Sequence, residues 1–174
     1  YAAYLWRLEH LGHNWNFIMA APVRPICLFA TKFLVVAKLT LLTQCFVGLL
    51  FMVCGKVFAH LPGLPSALLA VYLLRGTLGA LAVIAAQLVL AMLIRSFAVP
   101  IFLGLAGGIS GMAALSKGLG LLWPYCLMQQ GMNANRAEDM LAGSYPPFVL
   151  ACTCWVAVLF LLAALLLNKR DVRA

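Results

Sequence analysis

Hydrophobic and polar positions in this chain separate into long blocks, with no strict short period. From about Ala30 to Ala59 the residues are almost all apolar, and His60-Leu-Pro-Gly-Leu-Pro65 then supplies a turn. A second apolar block runs from Ser66 to Ile94 and ends at Arg95-Ser96, and a third runs from Phe97 to Leu115 and ends near Lys117. A fourth runs from Pro147 to Leu167 and stops at Asn168-Lys-Arg-Asp-Val-Arg173. Roughly 20 helical residues cross a bilayer's hydrocarbon, so each block is long enough to span. The pattern predicts an all-α, polytopic membrane helical bundle with spans at 30–59, 66–94, 97–115 and 147–167.

Two stretches break this pattern. Between Tyr4 and Pro25, Leu8, Leu11, Trp15, Ile18 and Met19 recur at three- and four-residue spacing, while Glu9, His13 and Asn16 share another face. That spacing predicts an amphipathic helix lying along an interface, ended or kinked by Pro22 and Pro25. The segment 116–146 holds a short apolar run, Leu119 to Gly131, broken by Trp123-Pro124 and followed by Asn133-Ala-Asn-Arg-Ala-Glu-Asp139. It reads as an interfacial or re-entrant helix and then a surface helix or loop, with Trp123 and Tyr125 expected at headgroup depth.

Composition supports the membrane reading. At 66% hydrophobic and 9% charged over 174 residues, the chain cannot hide its apolar surface in one small core, so lipid is part of its solvent. The net charge of +8 comes from a shortage of acids, with the basic residues spread singly, which argues against a nucleic-acid partner. The six cysteines fall mostly in or beside apolar segments and read as small buried residues. Basic residues near the span ends place Arg7, Arg24, Lys32, Arg95 and the Lys169-Arg170 tail on the cytoplasmic side, so both visible termini face the cytoplasm. Lys56, Lys117 and Arg136 fall on the outer side and weaken the asymmetry. The chain opens without Met, and further elements are expected before Tyr1.

Charges and amides inside spans are the candidate functional groups, because each is costly in lipid without a partner, water or a route to the interface. Lys38 and Arg75 are the two charges. No carboxylate lies between Glu9 and Glu138, so each is expected to snorkel, to face a polar cavity or to meet a group outside the chain. Gln44 and Gln87 are lone amides that either bond helix to helix or mark a cavity wall. These four form the candidate translocation path. Gly104, Gly107, Gly108 and Gly111 set two small-xxx-small pairs suited to close helix packing, including contact between subunits. Gly108-Ile-Ser-Gly111 resembles the nucleophile motif of rhomboid-type intramembrane proteases, but no histidine follows Ser110 to act as base, so Ser110 reads as a packing residue. His10 and His13 lack converging ligands, and Cys152 and Cys154 point to different helix faces, so no metal site is expected.

The run Glu9-His-Leu-Gly-His-Asn-Trp-Asn16, then Met19-Ala-Ala-Pro-Val-Arg24, then Lys32 opening a span, resembles the first cytoplasmic loop of permease subunits of type-2 ABC exporters. The likeness continues through Gln87 and Ser96-Phe-Ala-Val-Pro100 to the basic tail, and is nearest to bacterial permeases that protect cells from lantibiotics and bacitracin-like peptides. The resemblance implies a six-span fold of the bacterial inner membrane, of which four spans are visible. It implies a coupling helix in which Glu9, His10, Trp15, Asn16 and Arg24 dock on a separate ATPase. Lys32 either fixes the start of the span or snorkels. The chain carries no glycine-rich Walker loop, so ATP and magnesium are expected in two partner ATPase subunits and no cofactor in this chain. A second permease, identical or related, membrane lipid and a cationic amphipathic peptide complete the implied partners. The competing reading is a non-transporting immunity or assembly protein that binds a partner through the same amphipathic segment.

Overall fold

A computed structural model describes residues 1–10, 24–60, 62–63, 67–134, 136, 138–143 and 145–169. Among these, the ordered elements are α1 (Ala2–His10), α2 (Pro25–Val57), α3 (Ala67–Leu93), α4 (Ala98–Ser116), a 3-10 turn (Gly120–Leu122), α5 (Pro124–Gly131) and α6 (Tyr145–Lys169), with no strand. The protein is an all-α polytopic membrane bundle, and α2, α3, α4 and α6 are its four helices long and apolar enough to span.

Local chemistry sets the boundaries. Pro25 occupies the first turn of α2, where its missing N–H costs nothing, and Arg24 before it is extended. α2 ends as the Phe58 and Ala59 amides both return to the Cys54 carbonyl, and the chain then reverses through His60 and Gly63 at positive φ. Trp123 is extended and Pro124 opens α5 in the same manner. At 33 residues α2 is about 50 Å long by helical rise, well beyond the hydrocarbon thickness.

The packing is centred on α3, which touches every other helix. Of its most apolar stretch 61% is buried inside the protein, against 17% for each of the other three spans. The composition of α3 explains this: Gly76, Gly79, Ala80, Ala82, Ala85, Ala86 and Ala91 keep its surface low, so neighbours approach on several sides. The other spans bury one stripe and expose large apolar side chains such as Leu34, Phe46, Phe102, Leu105, Leu150 and Leu161, the surface expected against lipid. α2 and α6 meet where Phe160 packs edge-on to both Phe29 and Phe33, each with ring centroids 5.0 Å apart.

Residues 117–134 and 138–143 fold back into the bundle. The chain leaves α4, turns through Gly120–Leu122, and α5 then runs antiparallel to α3, with Leu127 beside Gly79 and Gly131 beside Arg75. Its tip lies deep. Trp123 Nε1 donates to the Gly107 carbonyl at 3.3 Å and Tyr125 packs on Gly107, near the middle of α4. Trp123 and Tyr125, expected at headgroup depth, both lie against Gly107 at the middle of α4. Backbone at that depth must be satisfied by protein, and the glycines make this feasible.

Candidate functional site

Polar groups concentrate along α3. At the end of the bundle away from α1, Arg75 is buried and bidentate to Asp139, with Nη1 at 2.9 Å from Oδ1 and Nη2 at 3.0 Å from Oδ2. Nη2 also donates to the Tyr145 hydroxyl, which in turn donates to Asp139 Oδ2 at 3.2 Å. The guanidinium lies over the Tyr145 ring at 4.4 Å and the Tyr72 ring at 5.3 Å. The Leu141 amide donates to Asp139 Oδ1 at 3.0 Å. Hydrogen bonding to Arg75 is the main cause that holds the Asp139 carboxyl below its usual pKa, against a smaller upward push from burial. Sequence reasoning expected Arg75 to snorkel, face a cavity or meet another chain; its partner is Asp139 of the same chain. The shortage of acids was the available signal, since Glu138 and Asp139 are the nearest carboxylates after Glu9.

Beside Gly76, Gln44 is buried and its Nε2 lies 3.4 Å from Met132 Sδ, joining α2 to the end of α5. Lys38 is exposed on α2 and does not join this cluster. Gln87 lies about 18 Å along α3 from Arg75, twelve residues at helical rise, and forms a separate contact. With its amide oxygen toward Tyr125, Gln87 accepts from that hydroxyl at 2.7 Å and from the Gly104 amide at 3.2 Å, and donates to the Pro100 carbonyl at 3.0 Å. One side chain thus joins α3, α4 and the tip of the inserted segment.

The glycines divide by role. A Cβ on Gly104 would lie 2.4 Å from the end of Gln87, and one on Gly107 would lie 2.9 Å from the Tyr125 ring. Gly111 faces the Tyr125 backbone at 3.2 Å, whereas Gly108 meets nothing within 4 Å. Gly107 and Gly111 therefore receive the inserted segment of their own chain. Gly76, Gly79 and Gly131, passed over in the sequence, bring α3 and α5 together.

At the other end α1 is clamped. Lys32 Nζ donates to Glu9 Oε1 at 2.8 Å and to the Leu5 carbonyl at 2.7 Å, and sits 5.0 Å over the ring of Trp6, which is fully buried. His10 Nε2 is 3.1 Å from the Ala91 carbonyl in the last turn of α3, and Arg7 lies over the Phe97 ring at 5.1 Å. Lys32 therefore neither snorkels nor merely opens a helix; it fastens α1 to α2. Arg24 is exposed at the start of α2. Trp15, Asn16 and His13 lie outside the described residues. Among the described residues no group of His, Cys, Asp and Glu could hold a metal.

The family profile described as "ABC-2 family transporter protein" matches residues 1–111, which takes in α1, α2, α3 and most of α4. The chain belongs to the ABC-2 transporter family. No curated protein and no solved structure matches it. The ABC-2 chain is thus a multi-pass membrane protein of a transport family. Among its described residues, polar groups gather toward both ends of α3, with the Gln87 contact between them.

Proposed function

We propose that this ABC-2 chain is the permease subunit of an ATP-driven exporter that moves an amphipathic, antibiotic-like peptide out of the membrane. The lantibiotic and bacitracin self-protection branch is the nearest cargo class. Two ATPase subunits supply hydrolysis, with ATP and magnesium held there, and a second permease chain completes the path. The protein sits in the bacterial cytoplasmic membrane with both visible ends cytoplasmic, so that α1 is at the inner face and Asp139 at the outer.

The observation that carries the reading is the double attachment of α1, to α2 through Lys32 and to α3 through His10. A force applied to the segment after α1 by an ATPase reaches two spans directly, one of them the central helix. In this coupling Glu9 and His10 act as internal links, because their partners are Lys32 and Ala91. Trp15, Asn16 and Arg24 are left as the docking surface. Arg75, Gln44 and Gln87 line the route along α3, while Lys38 contributes at the interface.

Purification of the protein with its membrane partners tests this. Co-purification of an ATPase whose turnover in lipid falls when Trp15→Ala and Arg24→Ala are introduced is the expected result. Intact protein with no ATPase attached sinks the exporter reading and favours the non-transporting, partner-binding component.

A further inference from the structure

The Arg75 cluster ties three parts of the chain at one point: α3 through Arg75, the connection after α5 through Asp139, and the first turn of α6 through Tyr145. Beneath it, α5 is seated on α3 by close backbone contacts at Gly79 and Gly131. These contacts give shape without any charge to hold them. Among the described residues there are two ion pairs, Lys32–Glu9 and Arg75–Asp139, and only the second engages the inserted segment. Asp139 stands on irregular backbone between two positive-φ residues, Asn133 at 52° and Gly143 at 75°, positions at which the chain direction changes sharply.

We propose that the Arg75–Asp139 pair is a latch that holds the inserted residues Gly120 to Asn133 seated between α3 and α4, and that its release uncovers the interior at that end of the bundle. α3 is one unbroken helix from the latch to the His10 contact, sixteen residues or about 24 Å from Arg75 to Ala91. A displacement at α1 therefore arrives at Arg75 as movement of a rigid element. Arg75 is pulled along its own helix while Asp139 stays with the connection, and the forked hydrogen bonds between them break together. What this opening serves rests on the permease reading. The latch itself does not.

Cys126 provides a native reporter. It is fully buried in α5, with Sγ 3.0 Å from the Gly111 carbonyl. A variant retaining Cys126 alone, in lipid nanodiscs so that both faces meet the reagent, is reacted with a water-soluble, charged maleimide. Asp139→Asn and Arg75→Gln are each expected to raise the labelling rate by about tenfold or more, because the first leaves the buried Arg75, and the second the partly buried Asp139, without its ion-pair partner. The double variant R75Q/D139N is expected to label no faster than the faster single variant, since one latch opens only once. Hydrogen exchange of residues 2–10 is expected to stay slow in all three. Unchanged labelling in both single variants overturns the latch. So does a double variant whose rate is the product of the single effects, and so does fast exchange at residues 2–10, which would mean that the whole bundle has loosened. The labelling uses no ATPase. Absence of an attached ATPase with latch behaviour intact therefore defeats the permease reading alone, and unchanged labelling defeats the latch alone.

Discussion

Substituting Gly79 with Ala tests whether α5 depends on backbone contact with α3. A Cβ built on Gly79 lies 2.3 Å from the Leu127 carbonyl oxygen, 2.4 Å from its carbon and 2.6 Å from the Met128 nitrogen. All three are backbone atoms, so no rotamer change relieves the clash. An ordinary carbon–oxygen contact needs roughly 1 Å more, and α5 must move away by that amount, losing dispersion contacts along its length. Overpacking of this kind costs about 1–3 kcal/mol, from which the better helix propensity of Ala removes up to about 1 kcal/mol. The expected net loss is about 1–2 kcal/mol. Gly108→Ala is the matched control, because its Cβ would meet nothing within 4 Å, and it is expected to be neutral or slightly stabilising. Reversible unfolding in mixed detergent micelles reads both. Gly131→Ala should rank with Gly79→Ala, since its Cβ meets the Arg75 carbonyl oxygen at 2.5 Å, and Gly111→Ala should fall between them and the control. If Gly79→Ala unfolds at the same point as Gly108→Ala, the seating of α5 on α3 is wrong.

Other outcomes follow from the polar contacts. Because the folded-state pKa of Asp139 lies below its ordinary 3.8, its stabilising contribution is complete above about pH 4 and is lost as pH falls through the lowered value. Acid titration of stability should show this loss, and Asp139→Asn should remove that component. Gln87→Leu keeps the volume but strands the Tyr125 hydroxyl and should cost about 1–2 kcal/mol in the same unfolding assay; Gln87→Glu at low pH, where the acid is neutral, should recover part of it. Lys32→Met leaves Glu9 mostly buried and unpaired and should cost about 2 kcal/mol, with faster hydrogen exchange across residues 2–10 and little change around Arg75.

Much of the bundle was legible in the sequence because apolar block length is a direct physical requirement of a bilayer. The blocks ending at Ala59, Ile94, Leu115 and Leu167 lie close to the observed α2, α3, α4 and α6 ends. The depth of segment 117–143 was not legible in this way. Its polarity suits either an interface or a protein-lined interior, and only the arrangement of Gly76, Gly79, Gly107 and Gly111 on two different helices decides between them. Arg75 was identifiable as a costly charge, but Asp139 lies 64 residues further along the chain, and nothing local links the two. The glycine run 104–111 read as two packing pairs, Gly104 with Gly108 and Gly107 with Gly111. In fact Gly104 makes room for an amide, Gly107 and Gly111 receive α5, and Gly108 stays open. Of the residues expected to face a partner protein, Glu9 is paired with Lys32 within the chain, a contact 23 residues distant that no local pattern shows.

The depth reached by Trp123 and Tyr125 also orders the protein's biogenesis. Helices such as α2, α3, α4 and α6 satisfy their own backbone and can enter lipid one at a time, whereas the irregular chain around Trp123 cannot, because lipid offers its amides and carbonyls nothing. Its acceptors and donors, the Gly107 carbonyl and the Trp155 indole among them, belong to α4 and α6. The segment must therefore wait in water during synthesis until α6 has inserted. A ribosome stalled before Tyr145 would hold a chain with α2, α3 and α4 in place and an unfilled glycine groove.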